Sequence, residues 1–397
     1  MISSALSTQN PALIYLDNAA TTPLDPRVFE AMLPWLREDF GNPASEHGPG
    51  LRARRLVEQA RAQVAALLGA AAEEIIWTSG ATESNNLALK GALEFRGIRG
   101  GHLVTTRIEH KAVLDTCRWL ETQGTRVTYL KPDSRGRILA EQVMAALTPE
   151  TALVSLMWVN NEIGTINPVE ALAPHLRERG ILFHVDAVQA AGKLAIDLAT
   201  TPIDLLSVSA HKLYGPKGIG ALFVRKRPRA RLAPQIHGGG HEQGMRSGTL
   251  ATHQIAGMGE AFRLAGECRT QDSARLAGLR DQLWSRLQTL PRVYLNGEVL
   301  ERAPGILNVS FDGAEGESLR AMLGDVAVSS GSACSSATRE PSFVLRALGR
   351  DDELAGSSLR FSLGRFTTCE EIEQVAAKVI FAVNWLRELS PVWNTKT

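Results

Sequence analysis

Four cysteines in 397 residues are too few, and too scattered, to staple a fold of this size. Cys117, Cys268, Cys334 and Cys369 share no zinc-site spacing, which removes a structural zinc module from consideration. Charge of one sign is also missing. A formal net charge of +1 excludes the broad positive field that nucleic-acid binding wants. No apolar run is long enough to span a bilayer, so no membrane role is expected. The opening MISSALSTQN has neither the basic start nor the apolar core of a secretory signal. A cytoplasmic enzyme is the expectation that these absences leave. The chain exceeds what one hydrophobic core usually serves, so two domains are expected.

What is present is an alternation. Between about residues 70 and 225, short apolar runs alternate with amphipathic stretches. EIIWTS (Glu74–Ser79), HLVTT (His102–Thr106), ALVSLMWV (Ala152–Val159), ILFHVDA (Ile181–Ala187), DLLSVS (Asp204–Ser209) and IGALFV (Ile219–Val224) read as strands. Several are apolar without period-two alternation, as strands covered on both faces should be. Segments 111–123 and 169–179 read as helices between them. The pattern predicts an α/β fold with an open, mostly parallel sheet wrapped by helices. After about residue 265 the texture changes. A helix at roughly 274–290, shorter strands at RVYLNG, ILNVSF and VAVSSG, and a last helix over 368–389 suggest a smaller α+β domain.

In open α/β sheets, ligands bind beyond the carboxyl ends of the strands, so polar residues at those ends carry the search. In SVSAHKLYGPKGIGALFV, Lys212 follows an apolar strand with Ser209 and His211 beside it. A solvated flank explains a lone lysine there equally well, whereas a nucleophilic amine needs company. Asp186 supplies it, at the end of the apolar strand in FHVDAVQ, where an unpaired carboxylate would be costly. A helix cap or a structural ion pair is the plainer reading of Asp186 alone. WTSGATESNN follows a strand and opens a helix, with Gly80, Ala81 and Thr82 at the turn. Such a helix start suits a phosphate, although capping accounts for it without any ligand. A lysine, an acid and a phosphate cup together fit an aldehyde cofactor with a pyridine ring, pyridoxal 5'-phosphate.

Cys334 stands apart from the other cysteines because SSGSACSSAT surrounds it with small residues, as an exposed loop carrying a nucleophilic thiol would. Cys117, Cys268 and Cys369 read as structural. His237 and His241 have the spacing of a helical metal pair, but the three glycines between them deny a helix, and a glycine loop is expected instead. His175, His184 and Arg365 read as ordinary or structural.

The segments YLDNAATTP, FGNPAS, TSGATESNN, EHKAVLDTC, VNNEIGT, HVDAVQ, SAHKLYGPKGIGAL, HGGGHEQGMRSGT, SSGSACSSA and LRFSLGRFTT resemble, in order and over nearly the whole chain, the cysteine desulfurases of the IscS/NifS class, which are fold-type I pyridoxal phosphate enzymes. The resemblance implies a large cofactor domain with a seven-stranded, mostly parallel sheet over 21–265. It implies a smaller domain of 1–20 with 266–397 that carries a cysteine loop at about 329–340. The implied activity removes sulfur from L-cysteine, giving L-alanine and a persulfide on Cys334. That sulfur would go to acceptors for iron–sulfur cluster assembly and for tRNA or cofactor thiolation.

By the same resemblance Lys212 matches the lysine that joins the cofactor's aldehyde, and Asp186 the partner of its ring nitrogen. His110 would stack on the ring and count with Lys212 among the catalytic residues that move the substrate's α-proton, Gln189 would bond the phenolic oxygen, and Asn161 would lie beside cofactor and substrate. Ala81, Thr82, Ser209 and His211 match the phosphate cup. Thr249 matches a residue that reaches the neighbouring subunit's phosphate, which implies a homodimer. Arg360 matches the anchor for the substrate carboxylate. No resident metal is implied, only a passing bond from Cys334 to a cluster held by a scaffold protein. The same fold also hosts selenocysteine lyases and aminotransferases, and a sulfur-delivery hub active chiefly with its partner is the non-enzyme alternative.

Overall fold

The computed structural model describes residues 13–97, 101–330, 340–390 and 393. Its large sheet has seven strands in the spatial order Ile75–Thr78, Gly220–Val224, Leu205–Ser209, Leu182–Asp186, Thr151–Met157, His102–Thr106 and Arg126–Leu130. Only Gly220–Val224 runs against its neighbours, and the other pairings from Leu205–Ser209 outward are parallel. Both faces are covered, so the central strands are buried along their whole length. Residues such as Phe183, Val185, Val208 and Phe223 fill one core against the helices.

Six of the seven strands coincide with the runs read from the sequence. The seventh, Arg126–Leu130, escaped because it is an edge strand, partly open to solvent and lacking a continuous apolar run. The long helix also departs from expectation. It spans Thr252–Leu287, starting some twenty residues before the expected position and running straight through residue 265. Glycines within GMGEAF disguise its first half, since they weaken a helical pattern read by propensity. Packing explains them. A Cβ on Gly257 would stand 2.6 Å from Met32 Sδ, and one on Gly259 would stand 2.6 Å from Ala60 Cβ. The glycines let this helix lie close against Pro26–Arg37 and Gly48–Leu68.

A second core gathers the far half of that helix, a three-stranded antiparallel sheet (Val293–Asn296, Ile306–Phe311, Ser358–Ser362) and the helix Cys369–Leu389. Thr368 caps the last helix, with Glu371 returning a bond to the cap backbone. The N-terminal strand Ile14–Tyr15 pairs with Val326–Ala327, so the first described residues belong to this second core. It then crosses to the large sheet at residues 17–22. That crossing forms one wall of the site.

Candidate active site

The parallel strands deliver their carboxyl ends to one edge of the sheet, and the cavity lies there. It holds about 500 Å³, within the usual range for small-molecule sites. Ala81, Thr82, His110, Asn161, Asp186, Gln189, Ser209, His211, Lys212 and Arg360 all line it. Thr249 does not: it is exposed on the loop that follows the glycine-rich segment. Cys334 lies outside the described residues.

Asp186 ends its strand 6% exposed, beside Ser207 of the next strand. One carboxylate oxygen accepts the Val188 amide at 3.1 Å and the other the Asn85 side-chain amide at 2.8 Å. Asn85 comes from the first turns of the helix Ala81–Phe95 and turns inward, with its own carbonyl oxygen buried and unpartnered. The carboxylate is thereby aimed rather than neutralised, and each oxygen keeps a lone pair for a cationic donor.

Lys212 leaves a short 3₁₀ turn directly after the strand Leu205–Ser209. Its Nζ donates to the carbonyls of Ala19 and Ala20, at 2.7 and 2.6 Å. The N-terminal crossing segment therefore holds the amine in place. Thr22 reinforces the arrangement by donating to the His211 carbonyl and accepting from the Tyr214 amide. Burial, helped by Lys212, Lys217 and Lys193, pulls the His211 pKa down to about 4, so its imidazole is neutral at physiological pH. Its Nδ1 lies 3.2 Å from Thr21 Oγ1.

The helix that begins at Ala81 points its first turn into the cavity, where Ser79, Gly80, Ala81 and Thr82 line the wall. First-turn amides have no acceptor within a helix, and the helix dipole adds partial positive charge there. The turn is crowded from beneath: a Cβ on Gly220 would stand 2.7 Å from Gly80 Cα. Arg246, from the glycine-rich loop, pairs with Glu83 at 2.9 Å and fixes that loop to the same helix. The glycine loop itself is anchored by Glu242, whose carboxylate takes Arg61 and the Trp77 amide in the interior. It is a structural loop, and no cluster of metal-binding side chains occurs among the described residues.

His110 caps the helix Lys111–Thr122, its Nδ1 accepting the Ala112 amide at 3.1 Å, which leaves the ring proton on Nε2. The residue before it was not foreseen. Glu109 is fully buried, accepts from Thr106 and the Met157 amide, and keeps one carboxylate oxygen unpartnered. Burial, with Asp186 nearby, raises its pKa to about 8, so it is largely protonated at neutral pH.

Arg360 closes the cavity from the smaller sheet. It is 1% exposed, with Nη1 on the Asn161 carbonyl at 3.0 Å and Nη2 on Asp17 at 2.6 Å. Its Nε is buried and unpartnered. The stems of the segment that bears Cys334 are pinned here too. Ser329 and Arg360 exchange backbone bonds, and Ser342 donates to Glu162, the neighbour of Asn161. Arg365 is structural, paired with Asp25 and Asp272. His184 is ordinary in chemistry but well used, bridging Ser155 and Ser207 inside the sheet. Of the three cysteines read as structural, Cys117 is buried in the core, Cys268 is half-buried and Cys369 is exposed.

The residues fit pyridoxal phosphate by the chemistry of their donor set. An amine, an aimed carboxylate, a neutral imidazole and an open helix start surround one cavity of suitable size.

Comparison with known proteins points the same way. The aminotransferase class-V model matches residues 14–375. A protein of Pseudomonas aeruginosa strain LESB58 named cysteine desulfurase IscS is 59% identical over 96% of this chain and 95% of its own length. One of the same name from Azotobacter vinelandii is also 59% identical, with the same coverage. Among solved structures, a NifS-like protein superposes with a TM-score of 0.88 at 38% identity, covering 94% of this chain and 100% of its own. A structure titled SspA in complex with cysteine has a TM-score of 0.80 at 39% identity, covering 89% of this chain and 100% of its own. The chain belongs to the aminotransferase class-V family, within its branch of IscS- and NifS-like cysteine desulfurases.

Proposed function

We propose that this chain is a pyridoxal phosphate-dependent cysteine desulfurase that converts L-cysteine to L-alanine and leaves the sulfur as a persulfide on Cys334. The observation that carries the reading is the cavity shared by Asp186, at the end of one parallel strand, and Lys212, in the turn after the adjacent one. The IscS relatives and the cysteine-bound structural neighbour support the same substrate. When bound, the cofactor supplies an electrophilic carbon for the amino group and an electron sink that acidifies the substrate's Cα–H.

The chain's own residues do the rest. Asp186, held by Asn85 and Val188, would face the ring nitrogen and favour its protonated form. Ala81, Thr82, Ser209 and neutral His211 offer hydrogen-bond donors to the phosphate. Gln189 would serve the phenolic oxygen, and His110 and Asn161 would flank ring and substrate. Arg360, oriented by Asp17 and the Asn161 carbonyl, binds the substrate carboxylate. Lys212 Nζ moves the Cα proton. The Cys334 thiolate attacks the substrate sulfur: an S–S bond forms, the Cβ–S bond breaks, and its electron pair ends in a new C–H bond of alanine.

We read 21–265 as the cofactor lobe and 1–20 with 266–397 as the lobe that brings Arg360 and Cys334. Thr249, exposed outside its own chain's cavity, is assigned to the partner's phosphate site in a homodimer. The enzyme is placed in the cytoplasm, passing sulfur to an iron–sulfur scaffold and to thiolation acceptors. Sulfur-labelled L-cysteine tests the reading. The wild type should yield alanine and a Cys334 peptide heavier by one sulfur atom, and Cys334→Ala should bind cofactor yet lose the transfer. A fully active Cys334→Ala would reject that assignment.

A further inference from the structure

Beneath the cavity stands a second lysine that the reaction does not use. Gln189 and Lys193 lie four residues apart on tight turns after the strand Leu182–Asp186. The turns are closed by amides of Ala190, Ala191, Lys193 and Leu194 on the carbonyls of Ala187 and Ala190. These turns bring the two side chains together. Gly192 between them has φ +67°, and a Cβ there would stand 2.5 Å from Leu213 Cδ2, so the turn requires glycine. Lys193 Nζ donates to Gln189 Oε1 at 2.7 Å. Gln189 Nε2 in turn donates to the Ala19 carbonyl at 2.9 Å, the acceptor that also receives Lys212 Nζ at 2.7 Å.

A side-chain amide can present either its oxygen or its NH₂ to a ligand, and only its hydrogen-bond partners decide which. In its protonated form Lys193 has donors and no acceptor, and the Ala19 carbonyl can only accept, so between them the amide oxygen faces Lys193 and the NH₂ faces the other way. The position is an unfavourable one for a cation. Burial, then Lys212 and Arg360, pull the Lys193 pKa down to about 7, and no carboxylate pairs with it among the described ion pairs. Asp272, which lines the same crevice between the lobes, is taken by Arg365.

We infer that Lys193 is a positioning residue: it locks the Gln189 amide so that Nε2 is offered to the cofactor's phenolic oxygen and to the carbonyl that holds Lys212. The inference rests on the pyridoxal phosphate reading of the cavity. A double-mutant cycle on cofactor affinity tests it. Protein stripped of cofactor is titrated with pyridoxal phosphate, following quenching of tryptophan fluorescence. The comparison covers wild type, Lys193→Met, Gln189→Ala and the double variant. Lys193→Met should weaken binding about tenfold when Gln189 is present, the scale of one charge-assisted hydrogen bond. In the Gln189→Ala background the same change should cost less than about twofold, since nothing remains to be locked. Lys193→Arg, which keeps the donor, should recover most of the affinity. Equal losses in both backgrounds, or no loss with Gln189 in place, would overturn the inference. Should Lys193→Met fail to fold, Lys193→Leu takes its place in the cycle. A wild type that does not bind pyridoxal phosphate would instead overturn the cofactor reading itself.

Discussion

The two walls of the cavity are built differently. On the large-sheet side, Asp186, Ser209, His211 and Lys212 follow directly from strands that end at one edge, so local sequence puts each group in place. On the opposite side, Arg360 sits in mid-strand in the smaller sheet and is aimed by Asp17 and Asn161, both far away in sequence. On the proposed function the first wall serves the cofactor and the second the substrate. Variants of the first wall should therefore damage cofactor chemistry outright, while variants of the second should act mainly through substrate binding.

The sharpest break in that comparison is Lys212→Ala. It removes the amine proposed to move the proton, and turnover should fall by about a thousandfold or more in a steady-state alanine assay. Turnover near the wild-type level would show that another base serves. Arg360→Lys should come next, with kcat/KM for L-cysteine lower by roughly 10- to 100-fold and most of the change in KM, because a point charge replaces a two-pronged donor. An unchanged KM would move the substrate anchor elsewhere.

Asn85→Ala probes the support behind the first wall. Losing one hydrogen bond to a charged acceptor costs about 1.5–3 kcal/mol, and cofactor affinity should fall by roughly 10- to 150-fold. Equilibrium binding that matches the wild type would mean that Asp186 needs no such aim.

The smallest effect lies beneath both walls. His184 is buried between Ser155 and Ser207, and burial pulls its pKa down to about 3 from the usual 6.5. Between those values the unfolded chain takes a proton that the native one refuses. The stability this contributes is present above about pH 6.5 and is lost as pH falls towards 3, by up to about 1.4 kcal/mol per pH unit. Urea midpoints measured at pH 7 and pH 5 should differ less in His184→Gln than in the wild type. Equal differences would show that the imidazole is not the group responsible.

How legible each part was in the sequence follows the same division. The cofactor wall could be read because apolar strands ending in polar residues are a local signal, and Lys212 and Asp186 each carry one. The supports could not. Asn85 is a polar residue on a helix whose buried face appears only after packing, and its sole sequence trace is its nearness to Thr82 in TESNN. Asp17 lies in a quoted motif, but its partner is residue 360, and no spacing reveals a contact across that separation. Glu109 was overshadowed by the histidine beside it. Lys193 offered a usable clue in its spacing of four from Gln189, next to a glycine. In the fold, the edge strand Arg126–Leu130 and the glycine-bearing start of the long helix were obscured for one reason. Tertiary packing, rather than propensity, stabilises them.

The claim that Lys212 and Asp186 grip one cofactor is tested most directly by chemical trapping. The loaded enzyme is reduced with borohydride, digested, and its peptides are mapped by mass. The account predicts the pyridoxyl group on the Lys212 peptide. Modification of Lys193 or any other lysine in its place would contradict it.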